Sequence, residues 1–268
     1  MIRTLTSEDF ESLYAAFTAA FSDYVVPLVL TREQLAEMIA RRGWVPELSV
    51  GAFDGDAMVA FTINCVEDDR AYDSGTGVVP SHRRQGLGRE LMERSFELLR
   101  ERCREYVLEV IDRNERAVEL YLATGFEVTR GLQCWGYESS SLPVAESSSS
   151  LSLDDLKTRR LDDSDVEPSW QNSDGSIRRS TQEHVTLGDD RGYAIVFPDR
   201  GDLAQLAVRR DARRQGIGTR LLQAAAAVAG KPLRIINVDE RDLGIAAFLE
   251  HNGAKRTVRQ VEMSRPLR

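Results

Sequence analysis

A six-residue pattern constrains this chain most, because it occurs twice, at equivalent places in two halves. The two copies are offset by 130 residues and read Arg83-Arg84-Gln85-Gly86-Leu87-Gly88 and Arg213-Arg214-Gln215-Gly216-Ile217-Gly218. Each copy follows an apolar run typical of a β-strand and precedes an amphipathic helix pattern. The glycines permit a tight turn, after which the first helical amides have no acceptor of their own. The pattern therefore predicts two phosphate cradles, each flanked by arginines that suit phosphate oxygens.

The length and charge of the chain narrow its class and its partners. At 268 residues it is long for one core and suits two domains. Its net charge of −8 and pI near 5.1 argue against a nucleic acid or an anionic membrane as main partner, since both attract basic surfaces. A phosphate site is then expected to be a local cluster of basic residues, and the acidic rest of the chain suits cationic substrates.

Cysteine and histidine usage argues against structural crosslinks and metals. Cys65, Cys103 and Cys134 are too few and too widely spaced for a disulfide framework or a CxxC metal site. The three histidines make no ligand spacing with a cysteine or an acidic cluster, so we expect no metal. The N-terminus lacks an apolar signal core, and no run approaches the length of a membrane span. We therefore expect a cytoplasmic protein with no membrane partner.

The first half is predicted to hold two helices followed by an antiparallel meander. Helix patterns run from Ser7 to about Ala20 and from Thr31 to about Gly43. Strand patterns follow at 48–53, 58–66 and 71–79, and after the glycine turn come a helix, a strand at 106–111, a helix at 114–124 and a strand to Tyr137. The aromatic loop Phe21–Pro27 either packs on the core or forms a wall of a substrate pocket.

A serine-rich segment separates the halves. It holds eight serines and indicates a flexible linker at 139–153 between domains at 1–138 and 154–268. The second half repeats the order of the first, with a polar loop at 164–180, strands at 185–187, 192–197, 203–208 and 233–238, and helices after the second glycine turn and at 242–252. The sequence thus predicts an α/β (α+β) chain of two tandem domains, each a mixed, mostly antiparallel twisted sheet flanked by helices.

The order of motifs resembles the GNAT superfamily of acyl-CoA-dependent N-acetyltransferases. Four features carry the resemblance: a strand ending in Val-Val-Pro, the Arg-x-x-Gly-x-Gly turn, an Asn-x-x-Ala-x-x-Leu-Tyr helix and a Gly-Phe pair. The matching residues are Val78, Val79, Pro80, Arg83, Gly86, Gly88, Asn114, Ala117, Leu120, Tyr121, Gly125 and Phe126. Because both motifs partly recur in the second half, the resemblance covers nearly the whole chain except the linker.

The resemblance implies acetyl-CoA as co-substrate and a primary amine, of a small molecule or a peptide, as acceptor. In the family the pyrophosphate lies on the amides of the glycine turn, and the strand before the turn holds the pantetheine arm. The cofactor-binding residues expected on this basis are Val78, Val79, Arg83, Arg84, Gln85, Gly86, Leu87, Gly88, Asn114 and Tyr121.

The resemblance also implies two proton carriers. Tyr121 stands where many family members keep a general acid. Glu109 lies twelve residues earlier, which is the spacing of base and acid in the family's ribosomal-protein N-terminal alanine acetyltransferases. We hypothesise that Glu109 is the general base, directly or through water, and that Tyr121 is the general acid. Asp73, on the preceding strand, is the rival base, and the sequence leaves that choice open.

The second copy lacks both proton carriers. Aligning Gly253 with Gly125 places Leu249 at the position of Tyr121 and Asn237 at the position of Glu109. The second half is therefore expected to be catalytically silent and to keep a candidate second CoA site at the turn Arg213 to Gly218. We expect the halves to form an internal pseudo-dimer, in a monomer or a homodimer.

Three other interpretations remain open. The chain could be an acyl-CoA-binding regulatory or scaffold protein without turnover, and the intact Tyr121 and Glu109 argue against that class. Its tandem layout is also similar to mycothiol synthase and to multi-site aminoglycoside acetyltransferases. In mycothiol synthase, however, the C-terminal domain performs the chemistry, which is opposite to the residue pattern here.

Overall fold

The computed structural model describes residues 1–138 and 166–268. These residues form two compact units, one made of Met1–Thr129 with Val261–Arg268 and the other of Arg130–Gln260. The predicted linker at 139–153 and the predicted start of the second domain at 154 lie outside the described residues. The domain ranges 1–138 and 154–268 stay predictions.

The first unit is a mixed sheet flanked by helices. Its strands are β1 (Ile2–Thr4), β2 (Val50–Asp54), β3 (Ala57–Glu67), β4 (Arg70–Val78), β5 (Glu105–Ile111) and the end of β11 (Lys255–Pro266). They lie in the order β1-β2-β3-β4-β5-β11, antiparallel from β1 to β4 and parallel between β4 and β5. Its helices are α1 (Phe10–Ala20), α2 (Arg32–Arg42), α3 (Leu87–Leu99) and α4 (Glu115–Ala123).

Local signals set the helix ends, as α2 illustrates. The Thr31 hydroxyl accepts a hydrogen bond from the Gln34 amide at 3.2 Å, and the Gln34 side chain accepts one from the Thr31 amide at 2.9 Å. This reciprocal capping box begins the helix. Gly43 ends it in the left-handed conformation, with φ 89°. The predicted helix between Thr31 and Gly43 is confirmed.

The second unit repeats this architecture. Its strands are β6 (Glu127–Tyr137, from Arg130 onward), β7 (Val185–Asp189), β8 (Gly192–Phe197), β9 (Asp202–Val208) and β10 (Leu233–Asp239), in the order β6-β10-β9-β8-β7. Its helices are α5 (Asp174–Arg179), α6 (Ile217–Ala229) and α7 (Leu243–His251). The mixed strands flanked by helices in each unit confirm the predicted fold class.

Helix α5 corrects the prediction of a polar loop at 164–180. The Ser173 hydroxyl accepts a hydrogen bond from the Ser176 amide at 3.1 Å and caps the helix. Ile177 is fully buried in a cluster with Ile195 and Phe197. One apolar residue therefore anchors a short helix that has too few turns to show a periodic pattern.

A β-bulge recurs at the same place in the two units. In β4, Gly75 pairs with Ile63 and Asp73 with Asn64, so Ser74 is the extra residue. In β9, Gln205 pairs with Ile195 and Leu203 with Val196, so Ala204 is the extra residue. A bulge bends its strand and ends regular pairing. The equivalent register shows that Leu203 stands where Asp73 stands in the first unit.

No helix among residues 1–138 and 166–268 combines the length and apolar composition that crossing a membrane requires. Cys65, Cys103 and Cys134 are buried thiols that form no disulfide bond with one another.

Candidate functional site

The glycine turn of the first unit presents unbonded amides at the start of α3. Arg84 and Gly86 both have positive φ, at 63° and 85°. The Glu90 amide donates to the Gly86 carbonyl at 3.1 Å. This is the first bond of the helix, so the amides from Gly86 to Arg89 have no intrahelical acceptor. The partial positive charge of the helix N-terminus adds to these donors and suits an anion.

The second glycine of the turn allows α4 to lie close to it. A Cβ atom at Gly88 would lie 3.1 Å from the Leu120 side chain. The motif residues Gly88 and Leu120 therefore meet in space, although they are 32 positions apart in the chain.

The Arg83 side chain turns back onto the protein rather than out over the turn. Its Nε donates to the Val78 carbonyl at 3.1 Å and its Nη2 to the Ala20 carbonyl at 3.0 Å. The two Nη atoms also form a bidentate pair with Asp23, at 2.6 and 2.7 Å. Arg83 thereby ties the end of α1 to the glycine turn, while Arg84 and Gln85 remain exposed.

Val78 and Val79, the two residues before the turn, differ in the direction of their backbone hydrogen-bonding groups. The Val79 amide donates to the Val59 carbonyl at 2.9 Å, within the sheet. Because peptide groups alternate in direction along a strand, those of Val78 face the other edge of β4. That edge is open, since β4 and β5 pair only from Arg70 to Asp73 and from Glu105 to Leu108. Beyond these pairs the two strands continue unpaired and leave a cleft.

Asp73 and Tyr121 meet at the inner end of this cleft. The Tyr121 hydroxyl donates to Asp73 Oδ2 at 3.2 Å, the Thr76 hydroxyl donates to the same oxygen at 2.8 Å, and the Gly75 amide donates to Oδ1 at 2.9 Å. Burial raises the pKa of Asp73 to about 6, although these hydrogen bonds oppose the shift. Burial and the Asp73 charge raise the pKa of Tyr121, so this side chain holds its proton at neutral pH.

Glu109 lies on the opposite face of the sheet from Asp73. Glu109 follows Leu108, the last residue of β5 that pairs with β4. Its Oε2 accepts a hydrogen bond from the Tyr72 hydroxyl at 2.9 Å. Side chains alternate along a strand, so Glu109 shares a face with Tyr72, whereas Asp73 shares the other face with Leu108. Glu109 is half-buried, whereas Asp73 is only 4% exposed. The two candidate bases therefore face different environments.

Tyr24 joins the site from the loop between α1 and α2, and the sequence did not single it out. Burial raises the pKa of Tyr24, and the Asn114 side chain, which lies near the Tyr24 hydroxyl at the start of α4, opposes that shift. Its ring contacts Phe21 edge-on, with centroids 5.1 Å apart. The aromatic loop therefore packs against the core and also reaches the predicted cofactor residue Asn114. Only the aromatic composition of the loop hinted at this contact.

The second unit keeps the turn but not the polar pair. Arg214 and Gly216 have φ 64° and 77°, and Arg213 Nε donates to the Val208 carbonyl at 3.0 Å, as Arg83 does to Val78. Leu249 stands at the position of Tyr121, since its carbonyl accepts from the Ala254 amide as that of Tyr121 does from Phe126, at 3.0 Å in each unit. Leucines thus replace both members of the Asp73–Tyr121 pair.

Two neighbouring cavities lie in the second unit. The larger has a volume of about 650 Å³ and is lined by the turn Arg213–Gly218, the end of β9 and the facing side of α7. The smaller, of about 130 Å³, lies between β9 and β10. The cavities share Leu206, Ala207, Asp242 and Ile245 in their walls. Within the described residues, no group of three or more His, Cys, Asp or Glu is placed to hold a metal ion.

Comparisons with known proteins agree for both units. Residues 10–126 match the model of the Acetyltransferase (GNAT) family, and residues 181–254 match that of an Acetyltransferase (GNAT) domain. A GCN5-related N-acetyltransferase from Sphaerobacter thermophilus aligns with a TM-score of 0.75 at 17% identity, over 100% of this chain and 96% of its own. A tandem GNAT protein from the clavulanic acid biosynthesis pathway aligns with a TM-score of 0.67 at 15% identity, over 100% of this chain and 98% of its own. At these identities the similarity shows the fold alone. No curated protein matches the chain.

Proposed function

This chain belongs to the GNAT acetyltransferase family, and we propose that its first unit transfers an acetyl group from acetyl-CoA to a primary amine of a small molecule or a peptide. One observation carries the proposal. The Asp73–Tyr121 pair lies in a strand cleft beside an intact glycine turn, and the second unit has leucines at both positions. Proton transfer thus has carriers in one unit and not in the other.

The residues of the first unit fit this cofactor. The amides from Gly86 to Arg89 have no intrahelical acceptor and suit the pyrophosphate. The Val78 amide, on the open edge of β4, suits a pantetheine carbonyl, whereas the Val78 carbonyl accepts a hydrogen bond from Arg83 and the Val79 amide donates to Val59. Asn114 and Tyr24 would line the same cleft. When bound, acetyl-CoA supplies the acetyl thioester that the amine attacks.

Glu109 is the better candidate for the general base. Asp73 is almost fully buried and its carboxylate already accepts a hydrogen bond from the Tyr121 hydroxyl, whereas Glu109 is half-buried. The hydrogen bond from Tyr72 fixes the Glu109 carboxylate at the cleft. Holding the amine beside the base also removes the entropic cost of bringing the reactants together.

Tyr121 is the general acid in this proposal, and Asp73 is its positioning residue. Tyr121 keeps its proton at neutral pH and can donate it to the leaving sulfur. Asp73 orients the Tyr121 hydroxyl through a hydrogen bond and is itself fixed by Thr76 and Gly75. The two proton transfers then occur on opposite faces of the sheet, with the cleft between them.

Kinetics on single variants test these roles. With a panel of primary amines and free thiol as readout, we expect Tyr121→Phe to lower kcat by roughly 10²–10⁴-fold. We expect Glu109→Gln to lose activity at neutral pH and to recover part of it as the amine deprotonates at higher pH. Tyr106→Phe is the matched control, because Tyr106 is an equally buried tyrosine of the same core that bonds to Asn64 instead.

Each outcome decides between candidate functions. Full turnover by Tyr121→Phe would remove Tyr121 as the acid. A fully active Glu109→Gln together with an inactive Asp73→Asn would make Asp73 the base. Absence of turnover with every amine class, in a chain that still binds acetyl-CoA, would favour the regulatory or scaffold alternative. The mycothiol-synthase-like alternative requires chemistry in the second unit. It would be supported if Tyr121→Phe kept some activity and further substitutions at Arg213–Gly218 abolished that activity.

A further inference from the structure

The opening between β4 and β5 begins with a polar residue on each strand. Regular pairing ends at Asp73 of β4 and Leu108 of β5, so Ser74 and Glu109 are the first residues beyond the last pair. Because paired residues stand opposite each other in the register, Ser74 and Glu109 begin the two sides of the opening. Glu109 supplies a carboxylate to the β5 side, whereas Ser74 itself is uncharged.

Arg42, the last residue of α2, brings a positive charge to the β4 side. Its Nη1 donates to the Ser74 carbonyl at 3.0 Å and to the Ser74 hydroxyl at 3.1 Å. A guanidinium presents its N–H donors in a planar fork that matches a carboxylate, so Arg42 can hold Ser74 and a ligand carboxylate together. Arg42 is half-buried, as Glu109 is.

The Tyr72 hydroxyl lies close to both charges. It donates to Glu109 Oε2 at 2.9 Å, and the Tyr72 residue is only 2% exposed. Burial and the Glu109 charge raise the pKa of Tyr72, whereas the Arg42 charge opposes that shift. One buried hydroxyl is therefore within reach of the carboxylate on one side of the opening and of the guanidinium on the other.

The next charged residues along these strands form a pair of their own. Arg70 and Glu105 begin the paired segment, and Arg70 Nε lies 3.0 Å from Glu105 Oε2. Their opposite charges cancel at the closed end of the cleft. Recognition at the open end therefore depends on Arg42 and Glu109, one cation and one anion.

This pair of charges matches an acceptor that carries a carboxylate beside its amine. A charged group loses its hydration on entering a cleft and needs an opposite charge there. A diamine or a polyamine would bring a second cation to Arg42, and an unlike partner of this kind is rejected by charge repulsion. The N-terminus of a peptide has an amine but no carboxylate next to it.

Resting on the proposed function, we infer that the acceptor is a free α-amino acid, whose amine faces Glu109 and whose carboxylate binds Arg42. Arg42 is then the residue that determines acceptor specificity. The transfer is that of the proposed function, with the amino nitrogen as the nucleophile.

Initial rates of the full chain with saturating acetyl-CoA, read as free thiol, test the inference. The probes are glycine and the common L-amino acids, each compared with its α-carboxamide. The amide keeps the amine and removes the charge of the α-carboxylate. We expect kcat/KM of the preferred amino acid to exceed that of its amide by roughly 10–100-fold, as expected for loss of a charge-assisted hydrogen bond.

Substitutions at Arg42 assign this preference to its side chain. We expect Arg42→Gln to raise KM for the amino acid by the same factor and to leave kcat and the amide kinetics unchanged, because Arg42 carries no proton in the reaction. Arg42→Lys should recover part of the preference, since it keeps the charge but not the fork. Arg32→Gln is the matched control, as it makes the same change at an exposed arginine of the same helix that pairs with Glu11.

Equal kcat/KM for amino acids and amides, or an Arg42→Gln variant that keeps the preference, would overturn the inference and leave the proposed function standing. The inference would also fail if Arg42→Gln slowed amides and amino acids equally, since Arg42 would then support the fold or Glu109.

A chain that acetylates no amine would contradict the proposed function. Calorimetric titration of the CoA-saturated chain with the amino acids would then test recognition alone. Binding that Arg42→Gln weakens would support the inference, and absence of binding would overturn it as well.

Discussion

Asp73 brings a carboxyl group into the interior of the first unit, where two hydroxyls and one backbone amide donate hydrogen bonds to it. Burial raises its pKa to about 6 against three hydrogen bonds that favour the charged form. Tyr121, which donates one of them, would lose its orientation without this partner. A carboxyl group with a raised pKa thus lies at the cleft, as is typical of functional sites.

The buried carboxyl predicts a pH dependence of stability. Below pH about 4, Asp73 is protonated in both the folded and the unfolded chain. As the pH rises from about 4 to about 6, Asp73 loses its proton in the unfolded chain but keeps it in the folded one. The free energy of unfolding therefore falls over this range. A shift from 3.8 to about 6 corresponds to roughly 3 kcal/mol at about 1.4 kcal/mol per pKa unit. We expect Asp73→Asn to remove this loss, measured by urea unfolding across that pH range.

The control for this measurement is Asp56→Asn, because Asp56 is an exposed carboxyl in a turn. That variant should keep the pH dependence of the unmodified chain. If Asp73→Asn and the unmodified chain showed the same dependence, the pKa of the Asp73 carboxyl would not be raised in the folded protein.

The glycine turn illustrates how much of an element is locally encoded. The turn, the start of α3 and the cap of α2 depend on residues within five positions of one another, and all were predictable from the sequence. Helix α5 was not, because a six-residue helix held by one cap and one buried side chain has no periodic signal.

For the glycine turn we expect Gly86→Ala to lower the free energy of unfolding by about 1–2 kcal/mol, because φ is 85° at Gly86 and an L-residue is strained there. A Cβ atom at Gly86 would meet no other atom within 4 Å, so strain is the only cost. Gly75→Ala is the matched control: its Cβ atom would lie 3.8 Å from Phe17, an ordinary contact. Equal urea unfolding curves for the two variants would contradict the assigned strain.

At the scale of the whole molecule, the C-terminal end of the chain returns to the first unit and completes its core. Val261–Arg268 belong to the first compact unit, whereas Arg130–Gln260 form the second. Val261 and Met263 are buried in the core cluster that contains Tyr106, Tyr121 and Phe126. The Arg265 side chain also donates to the Thr124 carbonyl at 2.7 Å, at the end of α4. The last strand thus supports the helix that carries Tyr121.

We therefore expect Met263→Ala to destabilise the first unit by roughly 2–5 kcal/mol, as other large-to-small changes in protein cores do. Its effect should appear as weaker acetyl-CoA binding at the first turn and an earlier transition in urea. Val228→Ala, at a partly exposed site on α6, is the control. A residue range 1–138 that folds and acetylates by itself would contradict this role of the last strand and support the predicted domain boundary.

The sequence by itself determined the repeated turn, the cap of α2, the order of helices and strands along each half, and the presence of Leu249 and Asn237 where the first copy has Tyr121 and Glu109. These features depend on side chains and backbone angles within a few residues of each other, so a motif records them. Only the tertiary structure decided that Asp73 meets Tyr121, that Glu109 lies on the other face with Tyr72, and that Val261–Arg268 complete the first unit. Register and face depend on pairing between segments far apart in the chain, and a shift of one residue reverses every side chain.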